Sequence, residues 1–169
     1  MPNKQSVSVV LIIFALFFLF SCGIYTFNGS TLPAHLKTVD VPLFTNECLQ
    51  PGVAEEITAS LTERVRSMNL LRLVTNTGDA TITGRVMSYS NYPHTFSRES
   101  IEKVDITEYG VRITVEVIFM DNRKNEPIYK GTIVGEGYYD FKAGREEQGR
   151  QKAETNIVDQ IMQNSVQSW

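Results

Sequence analysis

The middle of the chain contains a basic and aromatic stretch whose residue types suit a phosphorylated amphiphile. Its members are Arg85, Tyr89, Tyr92, His94, Phe96, Arg98 and Lys103. Guanidinium groups bind phosphates through paired N–H donors, and aromatic rings beside them would contact acyl chains. Tyr and Arg are also favoured anchors of protein interfaces. The stretch therefore predicts a contact site for such an amphiphile or for a protein partner. A solvated hairpin end with ordinary surface aromatics is the third interpretation.

The sequence contains no set of residues that would form a catalytic centre. It has no Gly-x-Ser-x-Gly, no His-Glu-x-x-His and no Cys–His pair with a third group. The two histidines, His35 and His94, are too far apart in sequence for a metal-ligand spacing. The glycines of the segment GTIVGEGYYD lie within a predicted strand and do not open a helix, so they do not indicate a phosphate-binding loop. We therefore expect a protein that is not an enzyme and that holds no metal or cofactor.

The front of the chain has the order of residues typical of a lipoprotein leader. Lys4 precedes an apolar run, VSVVLIIFALFFLF, which is shorter than the ~20 residues of a membrane-spanning helix and has the length of a signal-peptide core. Leu19 and Ser21 then lead into Cys22, as at a lipoprotein signal peptidase site. This pattern predicts a signal peptide over 1–21, with the Cys22 thiol lipidated and its amine acylated. An ordinary signal peptide, or a membrane anchor that happens to contain Cys22, is the alternative.

Charge and lipidation together limit the partners. The net charge is −3, and removal of Lys4, the only charge of the leader, makes it more negative. Such a chain has no basic surplus for nucleic acid or for anionic lipid as a whole, so we expect no nucleic-acid partner. Three acyl chains would anchor it firmly to a membrane. Gly23 follows the cysteine in place of the aspartate associated with inner-membrane retention, which predicts the periplasmic side of the outer membrane.

The remaining sequence predicts a tether and one domain. Residues 22–37 are rich in turn-forming residues and are predicted to be the lipidated tether, and 38–169 to be a single domain. Cys48 then has no partner in its own chain and is expected to be a small, half-buried residue. Two amphipathic helices are predicted, Pro51–Asn69 and Ala143–Gln167, each with an apolar stripe. Paired glutamates near both helix starts are interpreted as complements of the helix dipole.

Alternating apolar residues predict four strands. The first, Thr38–Thr45, contains Pro42, which would place it at a sheet edge or interrupt its ladder. The others are predicted to be Ala80–Tyr92, Val104–Met120 and Pro127–Tyr139. Pro93 indicates that regular pairing stops near the end of the second strand.

The alternation also predicts which residues share a face in two of the strands. Arg85 and Tyr89 are predicted to share one face of their strand. Gly131, Gly135 and Gly137 share a face of the last strand, which favours a helix packed closely against it. A groove for an acyl chain is the functional alternative at this face.

These elements predict an α/β (α+β) two-layer sandwich. The order is β-α-β-β-β-α, with a mixed four-stranded sheet and both amphipathic helices on one face. The strand–helix–strand crossover is expected to join parallel strands. The last three strands are expected to form an antiparallel meander.

A resemblance to a known family rests mainly on the segment from Cys22 to Asn46. Its matching residues are CGIYTF, then Leu32-Pro33, Leu36-Lys37-Thr38-Val39, Val41-Pro42, Phe44 and Asn46. Together with the acidic helix that follows, this pattern resembles the LptE family in its Bacteroidetes-like form, over nearly the whole mature chain. Glu47-Cys48 stand where the family commonly has a small polar residue. Of site residues, only Cys22 is carried over from the family.

The resemblance implies a function in the outer membrane. A member would be a lipoprotein inside the LptD β-barrel, where the two form the translocon that inserts lipopolysaccharide into the outer leaflet. It would plug the barrel and help it to assemble, bind lipopolysaccharide and catalyse no reaction. The alternative from the residues alone is a stand-alone envelope lipoprotein that binds a lipid or glycan.

Overall fold

The computed structural model describes residues 32–98 and 104–167. The predicted signal peptide, Cys22 and Lys103 lie outside these ranges, and Phe96 and Arg98 are described by their backbone alone. Within the described ranges, no helix combines the length and the apolar character needed to cross a bilayer.

A six-stranded sheet and two helices make up the fold. The strands are β1 Thr38–Asp40, β2 Thr45–Asn46, β3 Arg72–Leu73, β4 Ala80–Arg98, β5 Val104–Asp121 and β6 Glu126–Asp140. The helices are α1 Val53–Met68 and α2 Glu146–Met162, and a π-helical turn follows at Gln163–Gln167. In space the strands run β3-β1-β4-β5-β6, with β2 also paired to β4. The α+β class with two helices is thus confirmed, whereas the four-stranded sheet and the order β-α-β-β-β-α are wrong.

The extra strands arise in the first half of the domain. The predicted strand Thr38–Thr45 is divided around Pro42, so that Val39 pairs with Ala80 in β1 and Thr45 with Arg85 in β2. An interrupted ladder is what a residue without an N–H donor favours, and this prediction is confirmed. The second extra strand, β3, pairs in parallel with β1 after the α1 crossover. It is only two residues long, too short for its periodicity to be recognised in the sequence.

The meander and the helices enclose one core. β5 pairs antiparallel with β4 and β6, and its alternating residues from Val111 to Phe119 are fully buried. They meet Ile57 and Leu61 of α1 and Ile157 of α2 in a single apolar cluster. Because these residues all occupy one face of the sheet, both helices lie on that face, as the sequence predicts.

The glycines of β6 allow α2 to approach the sheet closely. A Cβ at Gly135 would lie 2.3 Å from the Ala153 carbonyl oxygen, and one at Gly137 would lie 2.1 Å from that of Gly149. No side chain fits at either distance, so the helix backbone rests directly on the strand. The packed helix is therefore confirmed, and the acyl-chain groove is wrong because α2 occupies that space.

Strands β4 and β5 extend beyond β6 as a two-stranded ribbon. β6 ends at Asp140, opposite Glu108, while pairing between β4 and β5 continues to Arg98 opposite Val104. The predicted end of this strand at Tyr92 is therefore wrong, whereas the prediction that regular pairing stops near Pro93 is confirmed, because the register shifts directly after it. Proline is tolerated in strands at bulges and free edges, and here register shifts follow on either side of Thr95.

A β-bulge in β4 exchanges the faces of the strand. Val86 pairs with Val115, but Ser88 pairs with Thr114, which leaves one extra residue between them. From this bulge to the next register shift, which follows Pro93, every side chain is moved to the other face. Tyr89 consequently lies on the helix side, opposite the buried Ile113. The prediction that Arg85 and Tyr89 share a face is wrong for this reason.

Candidate functional site: the open face of the sheet

The face of the sheet opposite α1 and α2, called the open face here, carries paired charges. Arg85 donates from Nη2 to Glu116 Oε2 at 2.5 Å and from Nη1 to Glu47 Oε1 at 3.1 Å. Glu116 lies directly across the ladder, where opposite charges stabilise the pair. The Arg85 side chain is 43% exposed, so its guanidinium is accessible but already shared between two carboxylates.

A second group of side chains, called the Arg112 cluster here, lies further along the open face. Its members are Tyr92, His94, Arg112, Glu136 and Tyr138. Two of the members are positioned by pairing across the sheet, since Gly110 of β5 stands between Tyr92 of β4 and Tyr138 of β6. A Cβ at Gly110 would lie 2.8 Å from Tyr92 Cζ and 3.1 Å from Tyr138 Cε1. The glycine thus lets the two phenol rings approach each other over the strand between them.

Arg112 is held at the centre of this cluster. Its Nε donates to Glu136 Oε1 at 2.6 Å, and its Cζ lies 5.0 Å from the centroid of the Tyr92 ring. This is the distance of a cation–π contact. The Tyr138 hydroxyl donates to Glu136 Oε2 at 2.5 Å, and the His94 ring lies 4.1 Å from the Tyr138 ring. The guanidinium is therefore oriented by one carboxylate and one aromatic face.

These contacts keep Glu136 and Arg112 ionised near neutral pH. The hydrogen bonds from Tyr138 and Arg112 hold the pKa of Glu136 below its usual value. The same carboxylate raises the pKa of Arg112 and of Tyr138. In the same way, Glu116 and Glu47 raise the pKa of Arg85. Since Arg85 and Arg112 are each matched by at least one carboxylate, the open face carries directional donors and aromatic rings rather than surplus positive charge.

The predicted contact residues are only partly brought together. Arg85 and Tyr92 lie on the open face, separated along β4. Tyr89 lies on the helix side, where its hydroxyl donates to Glu146 Oε1 at 2.6 Å. Phe96 and Arg98 lie on the ribbon, and Lys103 and Cys22 are outside the described residues.

Sequence reasoning missed three members of the Arg112 cluster, namely Arg112, Glu136 and Tyr138. The alternation of β5 does place Arg112 on the polar face. The cluster itself depends on the register of three strands, which no local pattern in the sequence gives.

A further aromatic row lies on the helix side at the base of the ribbon. The Tyr109 ring is 5.3 Å from that of Phe141 and 5.9 Å from that of Tyr139. The Phe141 residue is 51% exposed. Aromatic side chains therefore line both faces of the sheet where β6 ends and the ribbon begins.

Metal-binding chemistry is not assembled in the described part of the chain. Among those residues, no group of three or more His, Cys, Asp or Glu is placed to hold a metal ion. Cys48 is half-buried, and its thiol donates to Asn46 Oδ1 at 3.0 Å.

Comparison with known proteins gives solved structures of similar fold and one matching family. Among curated protein sequences, none matches this chain. A solved homologue of the neuraminyllactose-binding hemagglutinin from Helicobacter pylori is similar, with 10% identity, a TM-score of 0.53 and coverage of 82% of this chain and 88% of the other. The PelC dodecamer from Paraburkholderia phytofirmans gives 13% identity, a TM-score of 0.50 and coverage of 81% and 94%. At these identities the likeness concerns the fold alone. Residues 36–165 match the LptE family, described as lipopolysaccharide-assembly, and this chain therefore belongs to the LptE family.

Proposed function

We propose that this chain is a lipoprotein that plugs an LptD-like β-barrel in the outer membrane and helps it to assemble. In that complex it supports the insertion of lipopolysaccharide into the outer leaflet and catalyses no reaction. The observation that carries the proposal is the family match over residues 36–165. The leader that ends at Ser21-Cys22 supports lipid attachment at Cys22, with the chain on the periplasmic side of the membrane.

The open face is the surface that we assign to the barrel. Its arginines are paired with carboxylates and its phenol rings are partly exposed, which suits a polar lumen wall better than a bulk anion. Arg and Tyr are also the residues that most often dominate interface energies. The proposed contacts on this face are Arg85 and Tyr92, together with Arg112 and Tyr138. Tyr89 would meet a partner only from the helix side.

The fold suits a plug for a second reason. Strands β4 and β5 pair over their whole described lengths, from Ala80 opposite Asp121 to Arg98 opposite Val104. Backbone groups paired in this way need no water or partner to satisfy them. A wet lumen therefore leaves the sheet intact, and the rigid surface can direct the folding of a barrel around it.

The lipopolysaccharide contact is assigned to the sequence segment 96–103, whose first three residues belong to β4. Phe96, Arg98 and Lys103 combine an aromatic ring with two cations in this segment, and arginine and lysine bind phosphates well. Arg85 is a weaker candidate because Glu47 and Glu116 already share its guanidinium. A phosphate there would have to displace a carboxylate.

Co-purification from the native host tests the proposal. The full-length protein with a C-terminal tag is expressed there and recovered in mild detergent from the outer membrane, and co-purifying proteins are identified by mass spectrometry. We expect a large β-barrel in roughly equal amount. Cys22→Ala serves as the control for lipidation and should lose membrane attachment. Recovery of the wild-type lipoprotein alone would contradict the plug role and favour a stand-alone lipid- or glycan-binding lipoprotein.

A further inference from the structure

The groove between the two helices contains a buried acid that the proposed function does not use. The groove has a volume of about 380 Å³ and is lined by residues of both helices. Its charged members are Glu56 of α1 and Glu147, Arg150 and Glu154 of α2. It opens on the helix side of the molecule, away from the open face.

Glu154 is the unusual member of the groove. The residue is 5% exposed, and its Oε1 has no hydrogen-bond partner among the described residues. Arg150 Nε lies 3.8 Å from this oxygen, beyond hydrogen-bonding distance. A buried polar atom left without a partner costs free energy, and such atoms in folded proteins usually mark a missing ligand, ion or water.

The charge around this oxygen indicates the sign of the missing group. Three carboxylates line the groove with one guanidinium, and Arg150 Nη2 is already bound to Glu56 Oε1 at 3.1 Å. Burial, a hydrogen bond with the Glu56 side chain and the negative charge of that side chain raise the pKa of Glu154 to about 8. Without a ligand, the Glu154 carboxyl is therefore protonated at neutral pH. A cation beside it would favour the ionised form and lower that pKa.

We propose that this groove binds a guanidinium or ammonium group at the end of an arginine or lysine side chain of a partner protein. Its N–H donors would bind Glu154 Oε1, and its charge would balance the surplus carboxylates. A metal ion is disfavoured because the described residues place no three ligands together. A neutral donor would satisfy the oxygen but leave the charge unbalanced. The groove also has room for an alkyl stem, and Ala59 supplies an apolar wall.

A titration with small cations tests the proposal on the full-length protein in detergent. Glutamate carboxyl carbons are labelled with ¹³C and observed by NMR at neutral pH and low salt, where charge interactions are least screened. n-Butylguanidinium chloride is expected to shift the Glu154 carboxyl resonance in a saturable way. Tetramethylammonium, which has the same charge but no N–H donor, is expected to shift it far less. Equal shifts with both cations would overturn the proposal.

Two variants locate the site. Glu154→Gln preserves the shape but removes the charge, and should weaken n-butylguanidinium binding by about tenfold or more, which corresponds to about 1.4 kcal/mol. Glu63→Gln, an exposed acid elsewhere on α1 that pairs with Arg66, should leave binding unchanged. Unchanged binding in Glu154→Gln would place the cation elsewhere and reject the site.

A measurement on the wild-type protein does not depend on any variant folding. The apparent pKa of Glu154 is measured with and without saturating n-butylguanidinium, and we expect the cation to lower it. The charged groups of the groove that face this acid are Glu56, Glu147 and Arg150. The Glu56 and Glu147 resonances are followed as well, and that of Glu63, outside the groove, serves as the internal reference. An unchanged pKa of Glu154 would overturn the proposal. If spermidine bound the groove more than about tenfold tighter than n-butylguanidinium, the groove would instead be assigned to a free polyamine, and the side-chain occupant would be rejected.

Discussion

His35 Nε2 lies 2.6 Å from Asp121 Oδ2, a contact between residues 86 positions apart in sequence. Asp121 is 2% exposed and stands at the end of β5. Its Oδ1 accepts the backbone N–H groups of Arg123 and Lys124 at 2.9 and 3.1 Å. Burial would raise its pKa, but these backbone donors and His35 together hold the pKa of Asp121 below its usual value. The contact therefore fixes the segment that enters β1 against the turn between β5 and β6.

Replacing His35 by Ala should destabilise the domain. The substitution leaves Asp121 Oδ2 buried without its donor, and we expect the melting temperature to fall by about 3 to 6 °C, as is typical for one buried hydrogen bond in a domain of this size. Thermal unfolding followed by circular dichroism measures the change. His94→Ala is the matched control because His94 is exposed, and it should change the melting temperature by less than about 2 °C. Equal shifts in the two variants would show that the His35 contact contributes little.

Acid should destabilise the protein partly through Asp79. Its Oδ2 accepts the backbone N–H groups of Lys37 and Thr38, and its Oδ1 accepts Arg123 Nε. These donors, first that of Lys37, hold the pKa of Asp79 far below its usual value. Because the folded pKa is depressed, this stabilisation is present above the unfolded value of about 3.9 and is lost as the pH falls below it.

Urea unfolding between pH 5 and pH 2.5 tests that dependence. The wild-type protein should lose stability steadily as the pH falls, and Asp79→Asn should start less stable at pH 5 but lose less over the same range. Asp159→Asn, at an exposed acid of α2, is the control, and its free energy of unfolding should fall with decreasing pH as steeply as that of the wild type. A slope for Asp79→Asn as steep as that of the wild type would contradict the role assigned to Asp79.

Alanine at Gly135 or Gly137 should force α2 away from the sheet. A methyl group there would meet helix backbone atoms within 2.3 Å, and overpacking of this kind costs about 1 to 3 kcal/mol of the free energy of unfolding. Gly131→Ala is a control on the same face of β6, where the nearest atoms belong to the Tyr129 side chain and can move aside. In denaturant unfolding, the free energy of unfolding of Gly135→Ala and of Gly137→Ala should be well below that of this control. Similar costs at all three positions would argue against close backbone packing.

Arg112→Ala should separate binding from folding. Exposed ion pairs contribute little to stability, so we expect the melting temperature to change by less than about 2 °C. If the open face contacts the barrel, as proposed, less barrel should co-purify with this variant than with the wild type. Lys130→Ala, at an exposed cation on the same face of the sheet, should leave recovery unchanged. Full recovery with Arg112→Ala would remove the Arg112 cluster from the interface.

Local patterns in the sequence predicted the elements that depend on local chemistry. The unbroken alternation from Val111 to Phe119 predicted β5, because every second residue of this strand is buried on the helix side of the sheet. Pro42 indicated the interruption between β1 and β2 because it has no N–H to donate. The glycines at 135 and 137 indicated the close helix.

Features that depend on distant pairing were missed. β3 forms by pairing with β1, which is distant in sequence. The bulge in β4 is not marked by any characteristic residue in the sequence. Tyr92, Arg112 and Tyr138 meet only once the register of three strands is known. Glu154 lies four residues before the buried Val158, on the apolar stripe of α2, but its residue type does not indicate burial because glutamate is mostly exposed in proteins.

The single extra residue between Val86 and Ser88 has a consequence for tracing this family through evolution. A deletion of one residue there would not shorten the strand noticeably, yet it would turn the distal half of β4 over. Tyr89 would then point away from α2, and Tyr92 would leave Arg112. In an alignment of relatives, a one-residue gap at this point therefore means that the side chains beyond it have changed from one face of the sheet to the other. Identical residues aligned beyond the gap then need not lie on equivalent surfaces.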